Sequence, residues 1–165
     1  MRILIATVTA GAGHNAAAAA LDEAWRALRP GDAVDRIDLI KFFSPLHKKI
    51  YSDGYVQFVE RAPELWGMFF SKTDDPKFVR RLNKWARAFP SPSRNKFKRH
   101  LQAFEPDAVL CTHFLPNELL GMLRKREKAP QPFICTVVTD FEAHALWMDS
   151  CVDLYCVAAD ETKAR

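Results

Sequence analysis

Five runs of apolar and β-branched residues, separated by segments of helical periodicity, restrict the fold of this chain most strongly. The runs are continuous rather than alternating, which is typical of strands buried on both faces of a parallel sheet. One intervening helix ends at Arg29-Pro30-Gly31, and another is predicted over 116–128. This order predicts an α/β fold, a Rossmann-like doubly wound parallel sheet of about five strands. The predicted strands are RILIATVT (2–9), AVDRIDLI (33–40), DAVLCT (107–112), FICTVVT (133–139) and DLYCVA (153–158).

Length and composition predict a single domain spanning 1–165. A chain of 165 residues is long enough to bury a core. We expect no signal peptide because Met1-Arg2 leads straight into a short apolar run. No apolar stretch reaches the roughly 18 residues that span a bilayer. The four cysteines contain no CxxC pair, so we expect buried thiols rather than disulfides or metal ligands, and no metal site: Cys111, Cys135, Cys151 and Cys156.

Residues 41–100 break the strand–helix rhythm, because they contain only amphipathic helical segments punctuated by prolines. This interval holds 14 Lys and Arg against 5 Asp and Glu, a net charge of +9, whereas the rest of the chain carries −5. It also holds 12 of the 19 aromatic residues. The sequence therefore predicts a basic, aromatic-rich helical insertion in the α/β domain.

The insertion has three interpretations. Its aromatic residues could pack a core of its own beneath a solvated basic face. Alternatively, apolar side chains could enter the acyl boundary of a membrane while the cations meet anionic headgroups. Nucleic acid would also attract this charge, but the basic residues are spread over several helices and match no recognised binding motif, so we expect no nucleic-acid partner.

Ligands of an open parallel sheet bind at the carboxyl ends of its strands, which makes the residues just past each strand the candidate site. Three of the five histidines and an aspartate fall at this edge. Any one of them alone is more often structural than functional, but their grouping favours a functional site. The segments are AGAGHN (10–15), KFF (41–43), HFLPN (113–117) and DFEAH (140–144), with Trp147 just beyond.

His14 lies between a small-residue turn and the first helix. We expect Gly11 and Gly13 to supply permissive backbone where a Cβ would collide. The unpaired amides of the first helical turn suit a phosphate, and the helix dipole disfavours a protonated imidazole. A neutral imidazole can act as a general base. The alternative is that His14 only caps the helix or packs on the turn.

The same turn also fits a dinucleotide fingerprint. Residues 11–16 read GAGHNA, which matches GxGxxA between a strand and a helix, and Asp38 could contact a ribose. The bulk of His14 inside the turn argues against a pyrophosphate there. The histidine and aspartate loops elsewhere at the edge have no part in dinucleotide binding.

Four segments, taken together and in order, carry a family resemblance. GAGHNAAAAAL resembles the amino-terminal GxGH signature of the monogalactosyldiacylglycerol synthase and processive diacylglycerol glucosyltransferase family. The same family's other motifs are similar to PLHKKIYSDGYVQFVERAPELWGMFFSKTDD, PDAVLCTHFLPNELL and VVTDFEAHALWMDSCVDLYCVAADETK. The resemblance covers nearly the whole chain and is far more specific than GxGH alone. Ala12 departs from it, since many relatives carry glycine at that position.

The resemblance implies the acceptor-side, amino-terminal half of a GT-B glycosyltransferase. Such enzymes transfer a hexose from a nucleotide sugar to the glycerol hydroxyl of diacylglycerol, with inversion and without a metal or other cofactor. The implied partners are diacylglycerol, a UDP-sugar and an anionic membrane surface. The implied location is cytoplasmic, peripheral on the inner face of the membrane, with the insertion as the contact.

Site roles follow from the resemblance combined with the strand ends. His14 is implied as the residue essential to catalysis, as base on the acceptor hydroxyl or as donor to the sugar-nucleotide phosphates. Asp140 is the second candidate base, or the partner that orients His14 or His144. The remaining expected residues are, for the phosphate or acceptor loop, Gly11, Gly13 and Asn15; for the acceptor cleft, His113, Phe141, His144 and Trp147; and for membrane contact, Trp66, Phe69, Phe70, Lys48 and Lys49.

The family's carboxy-terminal, nucleotide-sugar-binding domain has no counterpart in these 165 residues. We therefore expect the chain alone to have no turnover, whether it is a truncated piece, the product of a split gene or a stand-alone module. Two other classes stay open: an NAD(P)- or flavin-binding oxidoreductase domain, and a non-catalytic membrane- or partner-binding module.

Overall fold

The computed structural model describes residues 1–9, 12–45, 92–124, 131–141 and 144–163, with 48, 64, 68, 71–75 and 78 between them. The strands are β1 (Arg2–Thr7), β2 (Ala33–Asp38), β3 (Ala108–Cys111), β4 (Phe133–Val137) and β5 (Leu154–Cys156). The α-helices are α1 (Ala12–Leu28), α2 (Pro92–Phe104), α3 (Phe114–Arg124) and α4 (Asp160–Lys163). Short 3-10 helices cover Leu39–Phe42 and Ala145–Trp147.

The five strands form one sheet in the order β2-β1-β3-β4-β5, and every pair is parallel. This confirms the predicted α/β, Rossmann-like fold. Each strand is shorter than its apolar run, because the residues after the ladder turn toward side chains of neighbouring elements. Thr9, for example, donates its backbone N–H to Asp38 Oδ1 at 3.2 Å instead of pairing with a strand.

Alternate residues of the strands face opposite layers of helix, as the two-residue period of a strand requires. On one face, Ile3 and Ile5 of β1 pack with Ala18 of α1. On the other face, Leu4 and Ala6 pack with residues of α2 and α3. Both faces of the central strands β1, β3 and β4 are therefore mainly buried, which is why these strands read as continuous apolar runs, whereas the edge strands β2 and β5 are more exposed.

The last part of the interval 41–100 belongs to the sheet's own helical layer. Helix α2 starts at Pro92 and contributes Phe97, which is fully buried in the main core. Glu105, directly after the helix, has a φ of 47° and caps it by donating its N–H to the Leu101 carbonyl at 2.8 Å. Most of the remaining interval lies outside the described residues. Within the described ranges, no helix is both long enough and apolar enough to cross a bilayer.

Helix α1 begins at Ala12, so Gly13 and His14 lie in its first turn rather than in the loop before it. A Cβ built on Gly13 would meet nothing within 4 Å in the described part of the chain, and its φ is not positive. The expectation that a Cβ would collide at Gly13 is therefore wrong, because the first helical turn points into open space. Gly11 lies outside the described residues. The helix ends as predicted, where Pro30 supplies no N–H to continue it.

Strand order places a crevice at the carboxyl ends of β1 and β3. The chain moves from β1 to one neighbour, β2, and later returns to the other side of β1 as β3. The connections that follow β1 and β3 therefore leave the sheet in opposite directions. Ligands of this fold class bind in the space between two such connections. His14 follows β1, and His113 follows β3.

Candidate active site

Three strand ends converge on the imidazole of His14. Its Nδ1 lies 2.9 Å from the carbonyl oxygen of Thr112, which follows β3. The same nitrogen lies 2.7 Å from the hydroxyl of Thr139, which follows β4. One side chain from helix α1 is thus fixed by two other parts of the sheet edge, as predicted for residues at the carboxyl ends of parallel strands.

These contacts determine which ring nitrogen carries the proton. A carbonyl oxygen only accepts hydrogen bonds, so a nitrogen 2.9 Å from it must be a donor. Nδ1 therefore carries the hydrogen, and in the neutral ring Nε2 is left with a lone pair. Among the described residues, Nε2 has no hydrogen-bond partner. The arrangement leaves the lone pair of Nε2 available to a ligand.

The backbone of His14 is also held. The hydroxyl of the fully buried Thr112 shares its proton between Thr7 Oγ1, at 2.9 Å, and the His14 carbonyl, at 3.0 Å. The Thr112 N–H donates to the Ala6 carbonyl at 3.1 Å, which continues the β1–β3 ladder past its last pair. His14 is thereby fixed by the sheet at its backbone as well as at its ring.

His113 lies beside His14 but beneath the surface. Its ring is 3 % exposed and meets the His14 ring edge-on, with centroids 4.6 Å apart. Its Nδ1 accepts the Leu115 N–H at 3.0 Å at the start of α3. Burial, with a smaller contribution from neighbouring His14, lowers the pKa of His113 to about 3. His113 is therefore a neutral packing partner of His14, and it contacts protein groups rather than an open acceptor cleft.

Trp147 packs against the rings of both His14 and His113. It is 1 % exposed, with its ring centroid 6.1 Å from that of His14 and 6.1 Å from that of Phe114. Its indole Nε1 donates to Asp140 Oδ2 at 2.7 Å. Asp140 thus orients Trp147, and among the described residues it makes no hydrogen bond to His14 or His144.

His144 is a structural residue in this arrangement. It is 6 % exposed, and its Nδ1 accepts the Leu146 N–H at 3.2 Å, which caps the 3-10 helix at 145–147. Its Nε2 lies 3.4 Å from the Thr73 hydroxyl.

Phe141, unlike His144, is exposed to solvent. It is 96 % exposed, while its carbonyl accepts the Thr162 hydroxyl at 2.9 Å. Of the four residues expected in the acceptor cleft, the structure exposes Phe141 and buries His113, His144 and Trp147.

Thr9, which follows β1, is joined by side-chain hydrogen bonds to Asn15 of α1 and to Asp38 of β2. Asn15 Nδ2 donates to Thr9 Oγ1 at 3.1 Å, and Thr9 Oγ1 donates to Asp38 Oδ2 at 2.6 Å. Asp38 Oδ1 additionally accepts the backbone N–H groups of Thr9 and Ile40. Both oxygens of this carboxylate are therefore engaged within the fold, which argues against the ribose contact that a dinucleotide site requires.

The cysteines differ in burial. Cys111, Cys135 and Cys151 are buried, and burial raises the pKa values of Cys135 and Cys151 to about 12. Cys156 is exposed, contrary to expectation, because it lies on the edge strand β5. Its sulfur is 3.7 Å from that of Cys135, and both are free thiols. In the described part of the chain, no three His, Cys, Asp or Glu side chains form a group that could hold a metal ion.

The residues expected to contact a membrane fall mainly outside the described residues. Trp66, Phe69, Phe70 and Lys49 are among those not described. Lys48 is described and half-buried, and it donates its backbone N–H to the Ser44 carbonyl at 2.9 Å. The membrane assignment of these residues stays a prediction.

Thr112 and Thr139 are the site residues that the sequence reading did not identify. Each is a hydroxyl residue at the end of an apolar run and directly before a polar residue, in the strings TH and TD. The sequence therefore carries a signal for both residues, although neither side chain is ionisable. The Thr112 contact to the ring is made by its carbonyl, which no side-chain motif encodes.

Comparison with known proteins finds one matching family model, described as monogalactosyldiacylglycerol (MGDG) synthase, over residues 14–165. Curated relatives include proteins named processive diacylglycerol beta-glucosyltransferase from Bacillus thuringiensis and Bacillus anthracis. Each is 28% identical over 162 residues, covering 98% of this chain and 40% of the relative. The chain thus spans about two fifths of the length of these relatives. No solved structure matches it.

Proposed function

Because the chain belongs to the monogalactosyldiacylglycerol synthase family, we propose that it forms the acceptor-side part of a diacylglycerol glycosyltransferase. The reaction transfers a hexose from a nucleotide sugar, such as a UDP-sugar, to the free hydroxyl of diacylglycerol. The observation that carries the proposal is the fixed imidazole of His14, which stands at the crevice of the sheet with its proton on Nδ1 and its lone pair on Nε2.

His14 acts as general base in this proposal. Its Nε2 accepts the proton of the acceptor hydroxyl as that oxygen forms a bond to the anomeric carbon of the sugar. The bond from the anomeric carbon to the nucleotide's phosphate oxygen breaks, and the nucleoside diphosphate leaves with the electron pair. Attack opposite to the leaving group inverts the anomeric centre. The imidazolium that results donates its Nδ1–H to the Thr112 carbonyl and the Thr139 hydroxyl, and bonds from a charged donor are stronger than those from the neutral ring.

The first turn of α1 offers the second half of the site. The open space beside Gly13 lets a ligand approach the backbone closely, and the amides of a first helical turn have no partner within the helix. Asn15 and Thr9 hold the loop in front of this turn. A sugar-nucleotide phosphate or an acceptor oxygen would fit this position.

Segment 41–100 would bring the site to a lipid surface. The net charge of +9 over 41–100 would attract anionic headgroups, while its aromatic side chains would enter the interface. We propose peripheral binding of the protein to the inner face of the cytoplasmic membrane. The 165 residues by themselves are expected to show no turnover, since the relatives are about two and a half times as long.

The test is glycosyl transfer by the full encoded protein, with UDP-glucose or UDP-galactose and diacylglycerol in mixed vesicles. His14→Ala is expected to lower kcat by about 10² to 10⁴, the usual contribution of a general base. His100→Ala is the matched control, because His100 lies in helix α2, where its ring packs against that of Phe42. A wild-type rate in His14→Ala would contradict the assignment of the base. The anomeric configuration of the product, read by NMR, tests inversion.

A further inference from the structure

The hydroxyl of Thr139 is the contact of His14 that the family resemblance leaves unassigned. We propose that Thr139 is a positioning residue, which acts with the Thr112 carbonyl to hold His14 as the Nδ1–H tautomer and to fix the orientation of its ring. The inference rests on the proposed function of His14 as base. It assigns Thr139 no contact with the substrate.

Two oxygen atoms converge on a single nitrogen. Nδ1 lies 2.9 Å from the Thr112 carbonyl and 2.7 Å from Thr139 Oγ1, and these oxygens come from the ends of different strands. The carbonyl requires the hydrogen on Nδ1, so Thr139 Oγ1 accepts the same hydrogen in a three-centre bond. A single acceptor would leave the ring free to rotate about that bond, whereas two acceptors, one after β3 and one after β4, define its plane.

Thr139 is itself rigidly placed. The preceding residue, Val138, donates its N–H to the Cys156 carbonyl at 2.9 Å, which extends the β4–β5 ladder. The following residue, Asp140, holds the buried indole of Trp147 at 2.7 Å. The hydroxyl is therefore fixed on both sides along the chain, as a positioning group must be.

The other groups around His14 explain why its contact with Thr139 matters. His113, 4.6 Å away between ring centroids, packs edge-on against His14, is buried and makes no hydrogen bond to it. Asp140 is turned toward Trp147. No carboxylate in the described part of the chain bonds to Nδ1, and two neutral oxygens do the work that a carboxylate performs in an Asp–His pair.

Thr139→Val tests the role because it removes the hydroxyl and keeps the shape, and Thr139→Ser restores the hydroxyl. The full protein is labelled with ¹⁵N-histidine, and the His14 ring signals are identified by their loss in His14→Gln. We expect wild type to show the Nδ1–H tautomer, Thr139→Val to show an admixture of Nε2–H, and Thr139→Ser to resemble wild type. In the transfer assay, kcat is expected to fall about tenfold in Thr139→Val with KM changed less than twofold, and to recover in Thr139→Ser.

Thr136→Val is the matched control. It removes a threonine hydroxyl from β4 that donates to Asn117 at 2.9 Å and makes no hydrogen bond to His14. It should lower thermal stability while leaving the His14 tautomer as in wild type. Circular dichroism confirms that each variant is folded before it is compared.

An Nε2–H tautomer in wild type, an unchanged tautomer in Thr139→Val or an unchanged kcat in Thr139→Val would each overturn the inference. The NMR measurement needs no turnover, so it separates this inference from the proposed function. If Thr139 controls the tautomer but His14→Ala keeps full activity, the assignment of the base fails. If His14→Ala is inactive and Thr139→Val matches wild type, the role of Thr139 fails alone.

Discussion

The buried imidazole of His113 makes the stability of this fold depend on pH in a way that can be worked out from the structure. Burial, and to a smaller extent His14, lowers its pKa to about 3, whereas an unfolded histidine titrates near a pKa of about 6.5. Between these values the unfolded chain binds a proton that the folded chain does not. The free energy of unfolding is therefore fully retained above about pH 6.5, and it falls as the pH decreases toward 3.

The size of the effect follows from the two pKa values. One pH unit corresponds to about 1.4 kcal/mol, so the loss attributable to His113 is about 3 kcal/mol at pH 4.5. His113→Asn removes the titration and still offers an oxygen to the Leu115 N–H, the bond that His113 Nδ1 now accepts at 3.0 Å. The other histidines are present in both proteins, so their contributions cancel in the comparison.

The assay is chemical denaturation of wild type and His113→Asn at pH 7.5, 6.5, 5.5 and 4.5. The variant is expected to be less stable at pH 7.5, because asparagine is smaller than the imidazole it replaces, which leaves a cavity. The gap should then close as the pH decreases, by about 1.4 kcal/mol per unit once the pH is well below 6.5. Parallel stability curves for the two proteins would refute the reasoning, since they would mean that His113 titrates equally in the folded and unfolded states.

Two further predictions concern the site and the basic interval. Asp140→Asn keeps an oxygen for the Trp147 indole, so kcat should fall less than tenfold, and a loss of about 10² or more would instead identify Asp140 as the base. Replacing Trp66, Phe69 and Phe70 together by alanine should reduce sedimentation with anionic vesicles, as should raised salt with the wild-type protein. Binding that is insensitive to both changes would rule out this surface as the membrane contact.

Much of the fold could be read from the sequence because burial on both faces leaves a local record. A strand covered by helices on both sides has no polar alternation, and each such run proved to be a strand of the parallel sheet. The end of α1 could also be read from the local sequence, since Pro30 has no N–H to donate. Placing His14 and His113 at one edge needed only the rule that parallel strands end on the same side.

The direction in which each residue at this edge points could not be read from the local sequence. His14, His113 and His144 all follow strands, yet the rings of His113 and His144 are buried, whereas His14 is half-buried and its ring contacts residues that follow β3 and β4. His113 and His144 each turn back to accept an N–H two residues ahead. That choice depends on the helix starts that follow them, and a residue's position after a strand does not reveal it.

The sequence by itself therefore determined the layers, the sheet edge that carries the site and the identity of His14 as the residue to test. Only the tertiary structure decided the surroundings of that residue. The Thr139 hydroxyl comes from a residue 125 positions away along the chain, and the Thr112 contact is a backbone carbonyl. Asp38 and Asp140 looked available in the sequence, but they are engaged by Thr9 and Trp147. Residue type and spacing specify what a side chain can donate or accept, whereas the order of strands and the rotamers of the packed core determine which partner it meets.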